Sequence, residues 1–159
     1  MISQSDIQEF VLSCFKNNAE FKDICVTELG SELNLYKDSS TQETFETLPC
    51  LISHKLGGEE NQQSPNEYTT QFIIAAGGVP SAPTQGADGV WRFGVSDNVE
   101  NVTIAAIDII KCRIRDLGIA GVKPLYITKT TVVMSEVGEA DDSMAVVTMT
   151  IEEEKYLNP

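Results

Sequence analysis

The 159-residue sequence contains one histidine, His54, which is the first residue to consider for catalysis. A histidine that activates a nucleophile needs that nucleophile and an orienting carboxylate close to it. The sequence around His54, which lies between Ser53 and Lys55, shows no such arrangement. The chain also lacks the G-x-S-x-G, P-loop and H-E-x-x-H motifs. We therefore predict that His54 has a surface or contact role and that the protein is not an enzyme.

Residue spacing also predicts neither a metal site nor a cofactor site. The glycine pair Gly77-Gly78 follows a predicted strand, but residues 79–96 do not supply the helix that would hold a phosphate. The cysteines match no zinc-ligand spacing and no C-x-x-C motif. We predict that all four are buried, reduced thiols: Cys14, Cys25, Cys50 and Cys112.

Acidic residues outnumber basic ones by 24 to 11, which gives a formal charge of −13. The acids cluster at Glu59-Glu60 on a predicted loop tip, at Glu139, Asp141 and Asp142 on a predicted turn, and at Glu152–Glu154. The turn is too short to supply the alternating oxygen ligands of a calcium loop. Three interpretations stay open: solvated turns that keep the protein soluble, a negative surface that faces a polyanion, and a bound cation.

An aromatic pair interrupts a stretch that is rich in glycine and proline. Trp91 and Phe93 flank Arg92. If these rings are exposed they suit a protein interface, and if they are buried they fix the loop in place. The sequence supports both alternatives equally.

The elements that position these residues follow from hydrophobic periodicity. Ser3 or Ser5 can cap the first helix, and Asp97 can cap a later, longer one. The predicted elements are, in chain order, a helix at 5–16, a short strand at 24–26, a loop with a short strand at 31–46, a strand at 47–56, a polar loop at 57–66, a strand at 67–76, a loop at 77–90, a helix at 98–117, and a hairpin of strands 125–137 and 143–156.

The long helix carries an apolar stripe that predicts its buried face. Gly118 is expected to end this helix in a left-handed conformation. The residues of the stripe are Ile104, Ile107, Ile110, Ile114 and Leu117.

This order predicts the α+β class, as one domain over 1–159. Two main helices should pack on one face of a mostly antiparallel sheet of four or five strands. The sheet should carry a long hairpin tip, and 77–97 should be a flexible inserted loop. No apolar run could span a membrane, no secretory signal is visible, and the negative charge argues against binding nucleic acid through its phosphates.

The element order resembles that of the tail-terminator proteins of long-tailed bacteriophages. The resemblance covers about 110 residues, namely 5–16, 47–76 and 98–156, and it rests on topology and on strands such as Leu48-Pro49-Cys50-Leu51-Ile52. Residues 27–46 and 77–97 depart from it. The family forms a ring, usually a hexamer, on the last ring of the tail tube. There it stops polymerisation of the tube and offers its other face to the neck of the capsid.

The resemblance implies a location and partners for this chain. It would sit at the head-proximal end of the virion tail after assembly in the host cytoplasm. Its partners would be other copies, the tube protein and a neck or head-completion protein. DNA would pass nearby without specific binding, and neither a membrane nor a cofactor would be involved. The candidate contact residues are Leu56, Gly57, Gly58, Asn61, Gln62, Gln63, Trp91 and Phe93, and the candidate acidic lumen residues are Glu59, Glu60, Glu139, Asp141 and Asp142.

Two alternatives to the terminator role stay open. A neck, head-completion or tail tube protein would have a similar composition. A small acidic ligand-binding domain or hydrolase would use His54 together with nearby carboxylates.

Overall fold

The computed structural model describes residues 2–38, 48–55, 67–77, 84–92, 95–116, 119, 124–136 and 143–153. The helices are α1 (Gln4–Lys16), α2 (Ala19–Leu29) and α3 (Ser96–Asp116). The strands are β1 (Asn34–Lys37), β2 (Cys50–His54), β3 (Glu67–Ala76), β4 (Thr84–Gln85), β5 (Trp91–Arg92), β6 (Leu125–Glu136) and β7 (Ser143–Glu153).

Five of these strands form one mixed sheet in the order β1-β2-β3-β7-β6. The short strand β1 runs parallel to β2, and every other neighbouring pair is antiparallel. Strands β2 and β3 form the predicted first hairpin, and β6 and β7 form the predicted second one. The α+β class and the five-stranded sheet are thus confirmed, while β4 and β5 form a separate ribbon.

The main core lies between the three helices and one face of the sheet. Along β7, buried and half-buried residues alternate strictly, because successive side chains of a strand point to opposite faces. The buried set, Ala145, Val147, Met149 and Ile151, packs in the same cluster as the buried helix residues. A second, smaller cluster around Cys50, Ile52 and Ala75 includes no helix residue. Among the described residues the helices therefore cover one face.

The first two helices are defined by their caps. The Ser3 hydroxyl accepts a hydrogen bond from the Asp6 N–H, and the Asp6 side chain accepts one from the Ser3 N–H, which completes a reciprocal capping box. Asn18 caps α2 through a bond from the Phe21 N–H, and Gly30 ends it at φ +82°. The short strand predicted at 24–26 is therefore wrong, since these residues lie inside α2.

The long helix α3 begins at Ser96, two residues earlier than predicted, so Asp97 lies inside its first turn and the prediction that Asp97 is the cap is wrong. Its predicted stripe is confirmed at Ile107, Ile110 and Ile114, which are buried, but Ile104 is 50% exposed. The adjacent Thr103 is buried in its place and donates its hydroxyl hydrogen to the Val99 carbonyl at 2.7 Å. The buried face is completed by Val99, Val102 and Ala106. Leu117 and Gly118 lie outside the described residues.

A buried polar contact joins α1 to the sheet. Gln8 is fully buried, and its Nε2 donates to the Asp38 carboxylate at 2.8 Å and to the Ser53 carbonyl at 2.9 Å. The same Asp38 oxygen accepts from the Lys55 N–H at 2.8 Å, and Asp38 has a left-handed φ of +61°. Asp38 thus ties the end of β1 to both α1 and β2.

Candidate assembly surfaces

The β4–β5 ribbon presents an exposed apolar pair. Within the ribbon, Gly86 and Val90 are joined by a backbone bond of 2.9 Å, and the Gln85 side chain donates to the Gly89 carbonyl at 3.1 Å. Gly89 has a φ of +81°, which glycine adopts without steric cost. Trp91 is 55% exposed and Val90 is 49% exposed. Of the two alternatives left open by the sequence, Trp91 agrees with the exposed one, which suits a protein interface, while Phe93 lies outside the described residues.

Trp91 is the candidate contact residue that falls in the described part of the chain. The others lie outside it, and their roles stay predictions. These are the contact residues Leu56, Gly57, Gly58, Asn61, Gln62, Gln63 and Phe93, and the lumen residues Glu59, Glu60, Glu139, Asp141 and Asp142.

The strand β6 is a long edge that sequence reasoning did not single out. It has 12 residues and occupies one end of the sheet order, with β7 as its neighbour. Val132 lies opposite the buried Val147, and Val133 lies opposite Val146 on the other face. Both are substantially exposed, at 41% and 56%. Both faces of the strand therefore reach solvent at these two positions, while Met134 next to them packs against the main core.

The acidic residues at the C-terminal end of β7 do not all simply face solvent, because two of them accept hydrogen bonds from tyrosines. Glu152 accepts a hydrogen bond from the Tyr126 hydroxyl at 2.9 Å, and Glu153 accepts one from the Tyr68 hydroxyl at 3.3 Å. Burial is the main cause that raises the pKa of Tyr68, and the nearby Glu153 raises it further. Two of the three acids of this cluster therefore link the C-terminal end of β7 to the first residues of β3 and β6.

His54, the candidate for catalysis, ends β2 and is half-buried opposite Gln71. His54 thus lies within the predicted strand at 47–56, as the last residue of the observed β2. In the described residues, no group of three or more His, Cys, Asp or Glu side chains could hold a metal ion.

The cysteines fall into two environments. Burial raises the pKa of the Cys14, Cys25 and Cys50 thiols to about 11, so they are protonated at neutral pH. For Cys14 the nearby Arg113 opposes this effect without overcoming it. Cys112 is exposed on α3, so the prediction that all four thiols are buried is wrong for this residue. Cys112 lies on a different face of α3 from Val102, Ala106 and Ile110, which are buried in the core.

None of the described helices is long and apolar enough to cross a membrane. No protein-family model matches the sequence, and no curated protein matches it. Among solved structures, the chain is similar to one chain of a structure titled "Virion of native gene transfer agent (GTA) particle". That similarity has a TM-score of 0.48 and 13% sequence identity, and it covers 94% of this chain and 95% of the other.

Proposed function

We propose that this protein is a structural virion protein of a long-tailed phage, which forms a ring on the end of the tail tube. The ring ends polymerisation of the tube and provides the surface to which the head or neck attaches. The observation that carries the proposal is the architecture: helices on one face of a sheet whose last hairpin leaves a long outer strand exposed.

The order of elements supports this role. The first helix, the β2–β3 hairpin, the long helix α3 and the closing β6–β7 hairpin follow one another as in the tail-terminator family that the sequence resembles. The function of such a protein resides in its surfaces, because a subunit at a tube end must bind the exposed edges of the subunits before it. Trp91 on its short ribbon and the edge strand β6 are surfaces of this kind.

The charge supports a position beside DNA. A formal charge of −13 on each subunit gives a ring a negative electrostatic potential. The genome carries a negative charge on every phosphate, so it can pass such a ring without adhering. A hexamer is the expected number of subunits, with the virion tail as location and the tube protein and a neck protein as partners.

The first experiment measures the mass of the purified protein by size-exclusion chromatography with light scattering, alone and with tube subunits from the same virus. A ring that forms alone or on tube ends would support the proposal. A protein that stays monomeric and never associates with tube ends would contradict it.

The second experiment separates the terminator role from a neck role. Particles made without this protein are imaged by negative-stain electron microscopy. Overlong tubes that are not attached to heads would identify a terminator, because nothing then stops polymerisation. Tubes of normal length would instead identify a neck or head-completion protein, and an absence of tubes would identify a tube protein.

A further inference from the structure

Beyond a register shift near its start, β6 forms a regular edge. The shift falls between Ile127 and Lys129, and from Lys129 to Glu136 each residue pairs in order with β7. In an antiparallel ladder, alternate residues of an outer strand point their N–H and C=O groups away from the neighbouring strand. Among the described residues, no strand lies on that outer side.

This part of the edge lacks the devices that usually prevent pairing with another chain. Native sheets protect their edges with bulges, charges, proline or very short strands. In β6 the bulge and the one lysine, Lys129, are confined to the first half, and residues 130–135 contain no charge, proline or glycine. The opposite edge of the sheet is protected, because β1 has 4 residues and Lys37 is bound to Glu9 on α1 at 2.8 Å.

We propose that the β6 edge over Thr130–Ser135 is the contact between copies of this chain, where the sheet of one copy accepts an extended segment of the next. Backbone hydrogen bonds along the edge would provide the binding, and the exposed side chains of Val132 and Val133 would be covered on the two faces. This proposal deepens the proposed function, on which it rests, by naming the surface that holds the ring together.

The charge distribution favours a second copy as the occupant. Two copies at −13 each repel one another over most of their surfaces. Residues 129–135 of β6 contain no carboxylate and carry one positive charge, Lys129. An acidic copy can approach this part of the strand without placing a carboxylate opposite a carboxylate of β6, and the lysine attracts it. An unrelated basic partner would instead be drawn to the acidic surfaces elsewhere.

The test compares two valines with similar exposure. Val133→Lys adds one charge to the proposed contact, and Val26→Lys adds the same charge on α2, where the valine is 48% exposed. We expect Val133→Lys to raise the dissociation constant of the assembly roughly tenfold or more, while Val26→Lys leaves it within about twofold. Light scattering over a dilution series gives both constants, and circular dichroism verifies that both variants are folded.

Hydrogen exchange of the wild-type protein provides a second measurement that needs no variant. The outward amides of residues 130–135 should exchange more slowly in the assembled protein than in the diluted one. If the wild type assembles but Val133→Lys assembles equally well and these amides gain no protection, the β6 contact is refuted and the ring proposal stands. If the wild type never assembles, alone or on tube ends, both proposals fail.

Discussion

Replacing Trp91 by alanine is expected to weaken assembly and to leave the folded subunit almost unchanged. A tryptophan side chain buries up to about 250 Å². Because Trp91 is 55% exposed, roughly 140 Å² of that area is available to a partner. At about 25 cal/mol per Å² this area contributes about 3.5 kcal/mol to association. Complete burial of Trp91 in the assembly therefore predicts a loss of roughly 300-fold in affinity for the variant.

The assay uses the fact that Trp91 is the one tryptophan of the chain. Its fluorescence should shift to shorter wavelength when subunits assemble or bind tube ends, because the indole side chain is then buried away from water. Titration of tube ends with wild type and Trp91→Ala gives the two affinities, and urea unfolding should show equal stability within about 0.5 kcal/mol. Val26→Ala, which removes a half-exposed side chain on α2, is the control. Equal affinity of Trp91→Ala and wild type, with no spectral shift, would refute the role of Trp91.

Three further predictions concern the fold that holds these surfaces. Ile110→Ala should lower the free energy of unfolding by about 2–5 kcal/mol. Its control, Ile104→Ala, should change that free energy by less than about 1 kcal/mol. Equal urea midpoints for the two variants would contradict the assignment of the buried face. Gln8→Ala should lower the free energy of unfolding by about 2–3 kcal/mol, because two hydrogen bonds are lost. Glu9→Ala, at the neighbouring position, should lower it by less than about 1 kcal/mol. If thermal unfolding shows Glu9→Ala to be the less stable variant, the buried contact of Gln8 is contradicted. Cys112 should be the one thiol among the four that reacts rapidly with a thiol reagent at pH 8, because burial raises the pKa of the other three to about 11. Rapid reaction of two or more thiols in the folded protein would contradict this prediction.

The sheet was predictable where burial differs between the two faces of a strand. In β7 the buried, core-facing set Ala145, Val147, Met149 and Ile151 alternates with half-buried residues, and the predicted strand is confirmed. The bounds predicted for β3 agree with the observed Glu67–Ala76. Both strands lie in the interior of the sheet. In β7 one face contacts the helices, so packing imposes the period of two on its burial.

The helices show what the sequence pattern left undetermined. Ile24 and Val26 favour a strand by their branched side chains, but the caps Asn18 and Gly30 enclose a helix of eleven residues around them. Local preference is weak compared with capping and with packing of α2 on α3. The sequence does contain a signal, since Asn18 follows the predicted helix 5–16 closely and asparagine is favoured at the N-cap of a helix.

The site was less predictable than the fold. The strand at 125–137 could be predicted from its β-branched residues, but its place at the edge of the sheet depends on its pairing with β7, beyond which the described residues form no further strand. A signal was present, because residues 128–135 lack the strict alternation of β7. Exposure of Trp91 likewise depends on where the β4–β5 ribbon lies relative to the core, which is a tertiary property.

The pairing of β3 with β7 has a consequence for the timing of synthesis. These two strands form the centre of the sheet, yet the side chains of Tyr68 and Glu153 that meet there are separated by 85 residues. Contacts so distant in sequence form slowly, because a large loop must close before they contribute any stability. A nascent chain emerging from the ribosome therefore cannot complete the sheet, or expose β6 as a finished edge, until β7 has been translated. Chains that are still being translated on one polysome therefore lack the finished edge through which we propose that copies join.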